Sequence, residues 1–253
     1  MKNKILTIVG CVLLLAGLVI GGIGLREYLL ERNAGQSYEE LKVELDIEPL
    51  IDIPMVETEK IENPIDFESL TSQYPDIYAW IRIPGTKVDY PIVQREGDNG
   101  YYLNHTIEGK QRTEGAIFTE NYNGKDFTDA NTVIYGHNMK NGSMFKTLHK
   151  YKDRAFFEEN STIYIYQKDK VLVYKIFAAY IYDNRHLMLS FDFEDEKIFQ
   201  NYLENVLTKR DMSSNINTRV GVTTSDKIIT LSTCNNNEAQ RYLVQAVLIS
   251  VQE

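Results

Sequence analysis

The chain reads as a mostly β fold, a closed or nearly closed barrel with a few peripheral helices, carried behind an N-terminal transmembrane helix. Two observations predict the barrel. Short runs of β-branched and aromatic residues recur from about residue 79 to the end with turn signals between them, and helical periodicity interrupts them in only two places. A third predicts the anchor: no charged residue occurs from Ile5 to Leu25, and at about 1.5 Å per residue that run spans the roughly 30 Å hydrocarbon core of a bilayer.

Lys2 and Lys4 precede the apolar run, whereas Arg26, Glu27, Glu31 and Arg32 follow it with balanced sign. The basic flank is therefore expected in the cytoplasm and the rest of the chain outside the cell membrane. A cleaved signal peptide fits less well, because its apolar core typically holds about 7 to 15 residues and no small-residue cleavage site follows here. Ile8-Val9-Gly10-Cys11 has the outline of a lipid-attachment box, but the apolar run continues past the cysteine, so Cys11 reads as a membrane-buried thiol. Cys234 is then the one cysteine in the exported part, where no intrachain disulfide can form. An unpaired extracellular thiol is either buried and inert or kept because it reacts.

Three regions are expected: a cytoplasmic stub and anchor over 1–35, an acidic stalk over 36–64 and a catalytic domain over 65–253. The stalk holds nine acidic residues against Lys42 and Lys60, with Pro49, Pro54 and Pro64, and is helical at most near Tyr38 to Leu45. Most of the formal charge of −9 thus lies outside the domain, and no basic patch points to nucleic acid.

Within the domain, Asp66 can cap a short helix that runs through Gln73 and ends at Pro75-Asp76. Strands are expected at Ala79–Ile83, Val88–Gln94, Ala116–Thr119, Thr132–Tyr135, Thr162–Gln167, Val171–Tyr182, Lys227–Thr233 and Tyr242–Val251. Met144 to Glu159 suits one or two short helices. Glu194 to Leu207 places Ile198, Tyr202, Val206 and Leu207 at helical spacing behind acidic residues that favour a helix N-terminus. Asp192, Glu194, Asp195 and Glu196 lack the ligand spacing and glycine of a calcium loop, so they read as helix-start electrostatics and no metal or other cofactor is expected.

Side chains alternate along a strand, which puts Ile228, Thr230, Ser232 and Cys234 on one face. Six residues follow, five of them polar, in a turn-forming run, and the next strand opens with Arg241. If the two strands pair as a hairpin, Cys234 and Arg241 flank the mouth of the loop. A guanidinium there can favour the thiolate and donate to a tetrahedral oxyanion. The acid and base that such a thiol needs is best supplied by His137, at the end of the apolar strand Thr132 to Tyr135. His105, His149 and His186 read as solvated side chains. Ser232 fits a bond within the strand as well as a substrate contact. Taken singly, a strand-end cysteine is more often structural than catalytic, Arg241 can pair with Glu238, and His137 can cap its own loop.

Thr230-Leu231-Ser232-Thr233-Cys234 resembles the sortase TLxTC signature, with Arg241 where sortases carry their essential arginine. Ile134-Tyr135-Gly136-His137-Asn138-Met139-Lys140-Asn141-Gly142-Ser143-Met144-Phe145 is similar to the catalytic-histidine segment of class B sortases. Trp80 to Thr86 and Gly100 to His105 also resemble that class, and the likeness covers about residues 66–253. The resemblance implies an eight-stranded sortase barrel and a cysteine transpeptidase with Cys234 as nucleophile, His137 as acid and base and Arg241 as holder of substrate and oxyanion. Ser232, Thr233 and Asn138 are the implied substrate contacts. The implied partners are a surface protein bearing a C-terminal sorting signal, NPxTN-like or LPxTG-like, and a peptidoglycan amine or pilin lysine. A hydrolytic cysteine peptidase and a non-catalytic surface binding module are the competing readings.

Overall fold

Strand-forming runs close on themselves when each has a neighbour on both sides, and here they do. The computed structural model describes residues 2–47, 61–235, 237 and 239–253, with side chains from Ala16 onward. The strands are β1 (Ile77–Arg82), β2 (Asp89–Val93), β3 (Ile117–Thr119), β4 (Asn131–Tyr135), β5 (Thr162–Gln167), β6 (Lys170–Asp183), β7 (Asn215–Ile216), β8 (Ile228–Cys234) and β9 (Gln240–Gln252). Their order is β5-β1-β2-β3-β4-β8-β9-β6, and a β5–β6 pairing closes the ring. Closure leaves no free edge around the eight strands. The two-residue β7 adds to β6 outside the ring; it is too short to carry a periodic signal, and no strand is expected there from the sequence.

Most neighbours are antiparallel, but β2–β3 and β4–β8 run parallel. Ile92, Ile117, Ile134, Ile165, Ile229 and Val244 meet in the principal core. A second apolar cluster forms where Val133, Phe177, Tyr180, Leu243 and Val247 are covered by helix α6 (Glu196–Leu207), which follows the short helix α5 (Leu187–Ser190). Asp195 caps α6 by accepting from the Lys197 and Ile198 amides, as the acidic helix start predicts. Its buried stripe is Phe199, Tyr202, Leu203 and Val206, whereas Ile198 stands exposed. Tyr202 and Val206 of the expected stripe are thus buried, and Phe199 and Leu203 complete it in place of Ile198 and Leu207, because Phe199 with Leu203 and Tyr202 with Val206 each span i,i+4 on the covered face.

A polar chain crosses the floor beneath α6. Gln245, wholly buried, donates to Tyr202 Oη and to Thr230 Oγ1, each at 2.8 Å. Thr230 in turn donates to Asn131 Oδ1 at 2.8 Å. Such a chain ties β4, β8 and β9 to one register, because a slip would part buried polar groups from their partners.

Helix α1 covers Lys2–Arg32 and α2 covers Gln36–Glu44. Among the described residues no helix is long and apolar enough to cross a membrane, and the first half of the expected anchor, with Cys11, lies outside the described side chains. The stalk reading over 36–64 differs from what its described residues do. Tyr38, Leu41 and Ile47 are buried in the principal core, and Tyr38 donates to the Gly115 carbonyl at 2.6 Å. Ile61 and Asn63 bond to Gln252 and Gln167. Net acidity obscured this packing, since Tyr38 and Leu41 sit three apart on one helix face while the carboxylates face water. Residues 48–60 lie outside the described part.

The junction after α1 also reaches the loop that follows β4. Asn141 donates to the Ala34 carbonyl at 2.7 Å, and Lys140 pairs with Glu31 at 3.2 Å. Helix α3 (Phe67–Gln73) is capped by Asp66. Phe145–Lys152 form a 3-10 helix followed by α4 (Arg154–Glu159), where one or two short helices are expected.

Gly136, between β4 and His137, has no room for a side chain: a Cβ would lie 2.5 Å from Ile117 Cδ1 and 2.7 Å from the Phe145 ring. Gly136→Ala is expected to lose about 1 to 3 kcal/mol of stability by overpacking. Urea unfolding with an unchanged m-value and a lower midpoint would show it; a wild-type midpoint would mean that the ring can give way.

Candidate active site

Three strand ends define the site. The β4–β8 register pairs Tyr135 with Ser232, so the next step on the same face sets His137 alongside Cys234. On the other flank, β9 runs antiparallel and opposes Arg241 directly to Cys234. The expected hairpin is present, and the thiol sits between an imidazole and a guanidinium supplied by its two neighbours. Cys234 is free and exposed. Glu238 lies outside the described residues.

His137 is oriented from a distant segment. Its Nε2 lies 2.7 Å from the Leu103 carbonyl; a carbonyl only accepts, so that nitrogen carries a proton. Nδ1 is then the ring nitrogen left to take up and release a proton. Arg241 donates from Nη1 to the Gln240 carbonyl at 3.1 Å, which holds the guanidinium near the loop mouth.

These residues share one open cavity of about 350 Å³, lined among others by Leu103, Tyr135, His137, Thr233, Cys234 and Arg241. Ser232 and Thr233 both line it and are nearly buried. Thr233 Oγ1 is buried and has no hydrogen-bond partner among the described residues. Asn138 is placed differently from expectation. It does not line the cavity; its Nδ2 donates to the Cys234 carbonyl at 3.0 Å.

Two histidines read as solvated from sequence belong to this region. His186 lines the far wall of the cavity, with Nε2 2.6 Å from Glu120 Oε2. Burial, with the Glu120 charge second, pushes the nearby Tyr135 phenol up. His149 lies behind the nucleophile, with Nε2 3.2 Å from the Cys234 carbonyl and its ring stacked on Tyr242 at 5.0 Å. Burial first and the Lys152 charge second lower its pKa from 6.5 to about 4. Neighbouring Lys and Arg residues gave both the look of surface positions. Their partners, Glu120 and Tyr242, are too distant in sequence for local pattern to find.

A sortase-domain family model matches residues 81–249. The chain belongs to the sortase family. It is 31% identical over 252 residues to sortase B of Staphylococcus aureus, covering 98% of each chain. Sortase B of Listeria monocytogenes is 36% identical over 178 residues, 69% of this chain and 70% of the relative. Among solved structures, S. aureus sortase B superposes with a TM-score of 0.69 at 30% identity, covering 85% of this chain and 98% of that one. Sortase B from B. anthracis gives 0.67 at 31% identity, with the same coverage. The sortase barrel and the class B resemblance read from Thr230–Cys234 and Ile134–Phe145 are therefore shown.

In this sortase the depressed His149 pKa has a sign that can be tested. The folded state prefers the neutral ring, so its contribution is fully present above pH 6.5, the ordinary imidazole value, and is lost as pH falls toward 4. Between pH 7 and pH 4.5 wild type is expected to lose up to about 2 kcal/mol more than His149→Gln, after allowance for partial exposure. Urea titrations of both proteins at the two pH values measure this; parallel losses would remove His149 as the cause.

Proposed function

We propose that this sortase is held in the cell membrane by its N-terminal segment and works outside the cell, joining surface proteins to an amine of the cell wall. One observation carries the catalytic part: His137 two residues past β4, Cys234 at the end of β8 and Arg241 at the start of β9 line one cavity. The charge-free run Ile5–Leu25 and the basic residues before it support the anchor and its orientation.

In the proposed reaction the Cys234 sulfur, its proton passed to His137, attacks the carbonyl carbon of the threonine in a C-terminal sorting signal, NPxTN-like or LPxTG-like. The C–S bond forms as the carbonyl becomes an oxyanion, which the Arg241 guanidinium faces. Collapse of that intermediate breaks the C–N bond, and the leaving amine takes a proton from His137. A thioacyl enzyme remains. An incoming amine then attacks it and gives up its proton to His137; the new C–N bond forms as the C–S bond breaks, and Cys234 leaves as thiolate.

Relatives support both substrates. One solved structure is an S. aureus sortase B–substrate complex, and another is a sortase B complexed with triglycine, a peptide with a free amine. Ser232 and Thr233, on the cavity wall, are the proposed substrate contacts. Attack by water in place of the amine would make the same thioacyl enzyme a peptidase, and a pilin lysine in place of the wall amine would make it a polymerase.

Mass spectrometry of the protein incubated with a panel of sorting-signal peptides tests the reading. The expected result is an acyl adduct on Cys234 that disappears on adding a peptide amine, with formation of the amide product. Cys234→Ala is expected to form no adduct, and no adduct on wild type with any peptide would overturn the assignment. Arg241→Lys is expected to lose about 10²-fold or more in kcat/KM, because a point charge cannot replace the planar fork. Wild-type turnover in that variant would remove Arg241 from oxyanion binding.

A further inference from the structure

The backbone of the nucleophile has an unusual pair of partners. In the parallel β4–β8 ladder the Ser232 carbonyl accepts from the Gly136 amide at 3.1 Å. Carbonyls two apart on a strand point the same way, so the next acceptor facing β4 is that of Cys234. β4 has ended by then, and the backbone turns into the loop Asn138–Ser143. Two side chains supply what the ladder no longer does. Asn138 donates from Nδ2 at 3.0 Å, and His149 of the 3-10 helix approaches with Nε2 at 3.2 Å.

We propose that His149 is a positioning residue for Cys234, acting with Asn138 as a two-donor clamp on the Cys234 carbonyl that extends the β8 ladder by one rung and holds the thiol in line with His137. The carbonyl only accepts, so both groups present N–H to it. Burial and the Lys152 charge favour the neutral ring, whose Nε2 tautomer this bond selects. The clamp is braced behind. His149 stacks on Tyr242, with ring planes 25° apart. Lys152 lies 5.1 Å from the Tyr242 centroid and donates to Asn235 Oδ1 at 3.3 Å. Asn235, immediately after the nucleophile, also donates its amide to the Gln240 carbonyl at 3.2 Å. Cys234 is thereby fixed by backbone contacts on both flanks while its sulfur stays exposed.

A carbonyl clamp acts on geometry, so its loss should appear in the step in which sulfur attacks. The position of a reacting atom is worth about 10²-fold per ångström of misplacement. The inference rests on the transpeptidase reading, whose own failure would appear as an absence of acyl enzyme in wild type.

The experiment compares His149→Phe, which keeps a flat ring against Tyr242 but has no N–H, with His149→Gln, which keeps a donor. Single-turnover acylation of Cys234 by a sorting-signal peptide and the melting temperature are measured for each. His149→Phe is expected to acylate about tenfold or more slowly with peptide KM near that of wild type, and His149→Gln to recover most of the rate. Equal rates in folded His149→Phe and wild type would overturn the proposal, as would an equal loss in both variants. Asn138→Ala, on a separate element, covers the case in which His149→Phe does not fold. It is expected to slow acylation similarly, and its double variant with His149→Gln to acylate at about the rate of Asn138→Ala alone, because glutamine keeps the second donor. An unchanged acylation rate in Asn138→Ala would equally overturn the clamp.

Discussion

The site depends on one pairing: β8 lies between a parallel neighbour, β4, and an antiparallel one, β9. Because the side-chain period along a strand is two, a slip of one residue in either ladder would send His137 or Arg241 to the opposite face of the sheet from Cys234. Parallel strands cannot be joined by a tight turn, and the 92 residues between β4 and β8 contain the elements that make the pairing unambiguous: two short helices after β4, the long strand β6, and α6 across the outer face.

The register is held from both sides of the sheet. Inside, the apolar faces of β4, β8 and β9 meet the principal core. Outside, the Asn131, Thr230, Gln245 and Tyr202 chain lies under α6. An apolar face resists a one-residue slip but is less exacting about a slip of two, whereas a buried amide with both ends satisfied resists either, since a shift would strand a polar group away from water. The apolar layer therefore supplies the bulk of the burial, while the polar chain selects one alignment.

Much of this was legible in the sequence because it is local. Alternation and turn residues located the eight barrel strands, the Asp66 cap and the acidic start of α6 were readable from their side chains, and strand-end positions marked Cys234, His137 and Arg241 before any pairing was known. What escaped notice is non-local or too short. The two residues of β7 carry no period. The role of Asn138 at the Cys234 carbonyl, and the placement of His149 against Tyr242 and of His186 against Glu120, each require knowing which distant strands are neighbours. The acidic run from residue 36 hid a docked helix, because its two anchoring side chains, Tyr38 and Leu41, are outnumbered by carboxylates that face solvent.

That docked helix has a mechanical meaning. The segment leaving α1 is gripped by Lys140 and Asn141, two and three positions beyond Asn138, and Tyr38 is sunk into the barrel beside it. In the proposed membrane setting the first part of the tether has no slack, so the cleft behaves like a tool on a bracket instead of one on a cord. A cord samples a hemisphere; a bracket samples a thin shell at one height and one tilt. Substrates held in the same bilayer and presented at that height would meet the thiol at high effective concentration, and those presented elsewhere would seldom meet it at all.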